Sequence, residues 1–407
     1  MDSIVGSVVC GCIPVLLAII LLWRFPRYRR FRIRSLVFYT VVMLLLIWGA
    51  MALVAWIATA KVVIREIFIV FWFTVSCRLA WELWSLSVGR MGQRWVRWAR
   101  LQRRNGRPAP SIIRLIPVGR AALTLLIFFP AFLSVVLTHR CKFTDGQDPY
   151  SVFNISFETM RITTSDGLML DAWYIPEAGA ERTIIICHGA GANKGNFIWF
   201  LDPLVNRGYN VVFFDFRAHG SSDGRTLTYG LREWRDVLAV VDWLKAEHPA
   251  ESRRIVGLGS SLGSMALALA AARDERIDAV ILDSPFRSPY ALAHHHAARI
   301  PVLGPLYVNI VLAMMSAQTG TNFFTPSADE AVPRLSDRPA MFIHGENDHM
   351  MPAEHAQYLY DLAAGPKALW FGPGPHSNII TTAPGEYARR VFSFLDEQWP
   401  RPPATRP

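Results

Sequence analysis

One segment constrains the fold of this chain more than any other. Arg254 to Leu258 reads as a buried strand, Gly259-Ser260-Ser261-Leu262-Gly263 follows at once, and Leu262 to Ala272 reads as an alanine-rich helix. A chain that passes from strand to helix in so few residues turns sharply, and the serine at the apex holds strained dihedrals. Gly259 and Gly263 suit that turn because a Cβ at either position would collide with the serine or with an adjacent strand. Ser261 is therefore the candidate nucleophile. The competing reading is a glycine-rich turn with an incidental serine.

The rest of the chain is divided by charge. It has 407 residues, is 52% hydrophobic, and carries a formal net charge of +10. Its mean hydropathy of +0.24 is high for one ordinary soluble domain. Residues 1–140 hold nineteen of the 42 Lys and Arg against three acids, Asp2, Glu66 and Glu82, an excess of 16 positive charges. The remaining 23 bases face 29 acids, an excess of six negative charges. The basic surplus thus sits between apolar segments and not on a globular face, which favours topology signals over nucleic-acid binding.

Four stretches, near residues 4–23, 36–60, 67–88 and 121–138, are long enough to cross a hydrocarbon core, which takes about 20 helical residues. The third contains Arg78 and Glu82, spaced to pair on one helix face. Arginines crowd the loops at 24–34 and 90–114, so both loops are expected on the cytoplasmic side. Four crossings then put the remainder on the outer or periplasmic side of the plasma (inner) membrane. The first stretch lacks a basic n-region and a small-residue cleavage site, so it reads as a retained helix, not a signal peptide. Trp95, Trp98 and Leu101 interleave with Arg94, Arg97 and Arg100 at helical spacing, as in a helix lying along anionic headgroups.

Beyond residue 150 the pattern becomes alternating strands and helices. Ser151–Ile162 and Leu168–Ile175 predict an antiparallel hairpin about Ser165-Asp166-Gly167. Strands follow at Thr183–Cys187, Asn210–Phe214, Arg254–Leu258, Ala279–Leu282, Ala340–Ile343 and Ala368–Phe371, most of them separated by helical stretches, which implies a mainly parallel sheet. The expected organisation is a membrane domain over 1–140, an α/β domain over 141–399 with an apolar insertion at 287–338, and a proline-rich disordered tail at 400–407.

In such sheets ligands sit beyond the carboxyl ends of the strands. Ser261, Asp348 and His376 each follow a different strand there. Together with His188-Gly189-Ala190-Gly191, Asp215 to Ser222 and Asp283-Ser284-Pro285-Phe286, they make residues 150–397 resemble the α/β-hydrolase superfamily, in particular its membrane-linked serine hydrolases with a His-Gly loop. The resemblance implies a helical lid over 287–338, a Ser261-Asp348-His376 triad, and an oxyanion hole made by the backbone N–H groups of Ala190 and Leu262. His188, Gly189, Gly191, Gly259 and Gly263 would shape that site. It implies neither cofactor nor metal, and leaves open an ester, thioester or peptide substrate.

The residue types require the same chemistry. A serine hydroxyl is a poor nucleophile until a base takes its proton, and the imidazole base needs a carboxylate to orient it. Glu346 is the fallback acid. His294, His295 and His296 point about 100° apart on a helix and read as a polar lid face, not a metal site. Five cysteines make no disulfide framework, and Asn154-Ile155-Ser156 reads as a chance sequon. The Leu-, Ile- and Met-rich insertion favours a small acyl-ester or lipid-like substrate, although it could equally be a lid without preference. The expected protein is a membrane-anchored serine esterase in contact with membrane lipid, with no nucleic-acid partner and an oligomeric state left open. A peptidase or thioesterase is the alternative, and a non-catalytic receptor or scaffold is the alternative of another class.

Overall fold

The computed structural model describes residues 129–399 apart from 140, 141, 145, 299–302 and 326, together with 94, 97, 98, 100–102, 104, 105, 126 and 127. The chain divides into two units, Met1–Thr124 and Leu125–Pro407. In the first, the described positions from 94 to 104 are helical, with Trp98 and Leu101 exposed. The stretches near 4–23, 36–60 and 67–88, four of the cysteines (Cys10, Cys12, Cys77 and Cys141) and the tail 400–407 lie outside the described residues. Among the described residues no helix is long and apolar enough to cross a membrane.

The second unit opens with α1 (Phe129–Thr138) and the short α2 (Pro149–Phe153). An eight-stranded sheet follows: β1 (Glu158–Thr163), β2 (Met169–Ile175), β3 (Arg182–Cys187), β4 (Asn210–Phe214), β5 (Arg254–Ser260), β6 (Ala279–Asp283), β7 (Ala340–Gly345) and β8 (Lys367–Gly372). Its order is β1-β2-β4-β3-β5-β6-β7-β8. β1 and β2 pair antiparallel, as do β2 and β4, and all other pairs are parallel.

The helices between them are α3 (Leu201–Val205), α4 (Trp234–Glu247), α5 (Leu262–Ala271), the insertion helices α6 (Pro289–Ala297), α7 (Leu303–Thr319) and α8 (Ala328–Ala331), then α9 (Ala353–Leu362), α10 (Ile379–Thr382) and α11 (Pro384–Gln398). Successive strand residues feed opposite faces. Ile185, Val212, Ile255 and Phe342 join a core with α4 and α5, whereas Ile184, Val211, Val256 and Met341 join one with α11. Both faces are covered, which is why these strands are apolar throughout.

Two expectations change. The first hairpin strand begins at Glu158, not Ser151, because Pro149 opens a helical turn that Asp148 and Ser151 cap reciprocally. Asn154 ends that turn in a left-handed conformation, φ 55°, instead of lying in a strand. The helical stretch expected between the strands at Thr183–Cys187 and Asn210–Phe214 begins as a 3₁₀ segment, Lys194–Phe200, that kinks at Phe197 before α3.

The insertion forms a helical cap. Val311, Leu312 and Met315 of α7 bury themselves with Phe323 against Leu137 of α1, Tyr229, Leu231 and Ala293, so these apolar side chains fill the cap's own core. Leu303 and Leu306 remain exposed.

Candidate active site

β5 ends at Ser260, and Ser261 stands between it and α5 with φ 53° and ψ −109°. That conformation is costly for a residue with a Cβ and persists only where neighbours enforce it. Here the Ser261 N–H donates to the Asp283 carbonyl at 2.8 Å, and Ser264 Oγ donates within reach of both Gly259 O and Asp283 O, at 2.6 and 2.7 Å. The flanking glycines serve close backbone approach. A Cβ on Gly259 would lie 2.5 Å from the Gly263 carbonyl, and one on Gly263 would lie 2.0 Å from the Cys187 oxygen. Helix α5 can therefore start directly against β3 only if both positions lack side chains.

The turns after β7 and β8 bring the other two groups. His376 Nδ1 lies 2.7 Å from Asp348 Oδ2, and His376 Nε2 lies 3.0 Å from Ser261 Oγ. An ionised carboxylate only accepts, so Nδ1 carries the proton and the Nε2 lone pair faces the serine hydroxyl. Asp348 also accepts from the N–H groups of Met350 and Met351 at 2.9 and 2.8 Å. Burial pushes its carboxyl up, but the hydrogen bonds from His376 and Met351 outweigh burial and hold it below the ordinary value. Glu346, the fallback acid, is exposed.

His188 and His219 lie under the Gly189-Ala190-Gly191 turn, with ring centroids 5.0 Å apart. His188 Nδ1 donates to Gly189 O at 2.8 Å, and its Nε2 accepts from Phe216 N at 3.0 Å. His219 repeats the device: Nδ1 donates to Arg217 O at 2.9 Å, and Nε2 accepts from Gly191 N at 3.2 Å. Burial, with His219 alongside, lowers His188 to about 3, so the ring is neutral, as one donor and one acceptor require. Among the described residues the N–H groups of Ala190 and Leu262 enter no backbone hydrogen bond. Gly191 has φ +75°, a conformation for glycine, whereas a Cβ on Gly189 would meet nothing closer than 3.6 Å. Gly191 therefore requires glycine for its backbone conformation, whereas Gly189 has room for a methyl group.

Asp215 is fully buried and accepts from Lys194 N at 2.7 Å and Ser221 N at 2.9 Å, so it ties the loop after β4 to the segment after Gly191. The three consecutive lid histidines diverge: His294 pairs with Asn309 Oδ1, His296 with Met350 O, and His295 faces the His355 ring. Cys187 is buried at the end of β3.

A second group of residues is marked in the sequence only as part of a family motif, without a role. Asp283 ends β6 fully buried, accepting from Tyr387 OH at 3.1 Å and from Ser284 Oγ at 2.9 Å. Ser284 Oγ in turn accepts from the N–H of Ser377, next to His376, at 3.0 Å. One dipeptide thus holds the nucleophile turn through its backbone and the histidine loop through its side chains. The Asp-Ser-Pro-Phe motif marked the place but not this connection.

Comparison with known proteins agrees with this architecture. Residues 182–309 match the family model described as alpha/beta hydrolase fold. The chain is 30% identical over 259 residues to the uncharacterized protein YfhR of Escherichia coli K12, covering 61% of this chain and 82% of that protein. It is 27% identical over 231 residues to the uncharacterized membrane protein YNL320W of Saccharomyces cerevisiae, covering 56% and 75%. Among solved structures, the Pyrococcus furiosus esterase Pf2001 superposes with a TM-score of 0.52 at 27% identity, over 63% of this chain and 98% of the esterase.

Proposed function

Because the chain belongs to the α/β-hydrolase fold family, we propose that it is a membrane-anchored serine hydrolase that cleaves carboxylic esters through an acyl-enzyme. The observation that carries this reading is the unbroken hydrogen-bond line from Asp348 through His376 to the Ser261 hydroxyl. Ser261 Oγ attacks the ester carbonyl carbon while His376 Nε2 takes its proton. The tetrahedral oxyanion lies between the N–H groups of Ala190 and Leu262, and one such donor is worth about 3 kcal/mol. The carbonyl re-forms, the C–O bond to the leaving alcohol breaks, and His376 returns the proton to that oxygen. Water then repeats the sequence on the acyl-serine, with His376 as base again, and releases the acid. Asp348 keeps the imidazole in the productive tautomer and stabilises the imidazolium.

An ester substrate is supported by the relation to an esterase of known structure. Membrane anchoring is supported by the apolar stretches of residues 1–140 and by the yeast relative's description as a membrane protein. The test is hydrolysis of short p-nitrophenyl esters together with labelling by a fluorophosphonate probe. Ser261→Ala is expected to abolish labelling and lower turnover by several orders of magnitude with unchanged thermal unfolding. Wild-type protein that stays unlabelled while a control hydrolase reacts would decide for a non-catalytic scaffold.

A further inference from the structure

Helix α1 buries Pro130, Ser134 and Thr138 along one side and leaves large apolar side chains exposed on its flanks. Its two hydroxyl-bearing residues, Ser134 and Thr138, are 0% exposed, whereas Leu133 and Val135 on its flanks are 36% and 45% exposed. Just before it, Leu126 and Ile127 are 40% and 45% exposed. The buried side is fixed to the catalytic unit: Gln318 of α7 donates to Ser134 Oγ at 2.8 Å, Leu227 N to Thr138 O at 2.8 Å, and Tyr229 OH to Leu137 O at 3.0 Å. Apolar side chains left in water forfeit roughly 1.5–3 kcal/mol each relative to burial, so this polarity is unfavourable unless the outer flank meets another apolar medium.

Resting on the membrane-anchored reading above, we propose that the outer flank of α1 is seated in the acyl-chain region of a lipid bilayer and that α7, bonded to its inner side, is thereby a lid held at the membrane. Neither α1 nor α7 contains an Asp, Glu, Lys or Arg, so the pair presents no charge to a hydrocarbon phase. The uncharged stretch 121–138, of which α1 is the end, is bracketed by Arg120 and Arg140, the residue type that anchors such segments at headgroups. Lipid is favoured over a second protein surface by that continuity, since a protein interface usually ends in a polar rim. Ten helical residues rise about 15 Å, roughly half a hydrocarbon core, so the described part of the stretch 121–138 is long enough to be bedded there. A lid fixed in this way draws its ester from the bilayer.

The test uses the full chain in vesicles of phosphatidylcholine and phosphatidylglycerol, in a background carrying Cys10→Ser, Cys12→Ser, Cys77→Ser and Cys141→Ser. Bimane is attached at Leu133→Cys, at Val135→Cys or, as a control on exposed α9, at Gln357→Cys. Lipid with brominated acyl chains is expected to remove most of the fluorescence at 133 and 135 and little at 357, with aqueous iodide giving the reverse order. Iodide quenching at 133 and 135 overturns the proposal in favour of water, and protection from both quenchers overturns it in favour of a protein contact. In a second measurement, Leu133→Asp is expected to lower hydrolysis of a long-chain ester dispersed in the vesicles by about 10-fold while sparing a short soluble ester. Equal change on both substrates overturns the link to the lid, and Leu133→Gln carries the comparison if the aspartate variant misfolds. If wild type cleaves neither ester, the catalytic reading fails while the quenching still decides the surface.

Discussion

Asp283 is a carboxylate that chemistry does not consume and packing does not want. Burial drives its pKa up to about 6, against hydrogen bonds from Ser284 and Tyr387 that favour the charge. Tyr387 is itself buried beside it and raised well above the ordinary phenol value, so it stays a donor. What these groups secure is the position of Ser377, one residue from the base. Ser284→Ala removes the acceptor for the Ser377 N–H, and we expect kcat to fall by about 10-fold with KM little changed, a difference of about 1.4 kcal/mol in transition-state stabilisation. Steady-state kinetics on a soluble ester checks the split. A folded-state pKa of about 6 against 3.8 unfolded means that Asp283 contributes stability below about pH 4, which is lost as pH rises through about 6. The full contribution is roughly 3 kcal/mol. Asp283→Asn cannot titrate, so it should be more destabilised relative to wild type below about pH 4 than above about pH 7. Thermal unfolding of both proteins across that range reads the difference, and a constant gap would refute the assignment.

The element that commits the fold is the β5–α5 turn. At Gly263 every near neighbour of an added Cβ is backbone, the Cys187 carbonyl and the His188 oxygen, so nothing cheap can move. Gly263→Ala should therefore push α5 off β3 and cost at least the roughly 1–3 kcal/mol typical of overpacking. Gly189→Ala meets only ordinary contacts and should unfold within about 2 °C of wild type. Paired melting curves test the contrast. The strands of this sheet were legible because each is a short apolar run between turn residues, and Asn210–Phe214 was placed to the residue. Elements governed by capping were less so. The turn at Pro149–Phe153 was hidden inside a β-rich composition, and the 3₁₀ segment depends on Asn193 accepting from Gly195 N, a contact no periodicity encodes. Ser261, Asp348 and His376 could be picked out because each follows a strand on the same sheet edge. The contacts of His219 and Ser284 could not, since their partners are backbone N–H groups brought near only by the completed fold.

Across the whole molecule the strongest asymmetry is electrical. Residues 1–140 carry an excess of 16 positive charges and the remainder an excess of six negative ones. The arginines of the first unit cluster at 24–34 and 90–114, whereas the segment between the second and third apolar stretches holds only Lys61, Arg65 and Glu66. If basic loops stay on the cytoplasmic side, both clusters share that side and the segment at 61–66 faces the other. On the membrane-anchored proposal, a fourth crossing over 121–138 would put the residues after it on the outer face. The expected outcome is therefore digestion: in intact cells expressing the chain, external protease should remove both an epitope placed after Pro407 and a tag before Met1, since an even number of crossings leaves both ends on the outer side. Digestion of the tag before Met1 with protection of the epitope after Pro407 would mean an odd number of crossings, with the hydrolase facing the cytoplasm. Replacing Arg27, Arg29, Arg30 and Arg32 together by Gln weakens the first cytoplasmic signal, and a fraction of the chains should then invert at the amino end, protecting the tag before Met1 from the same protease.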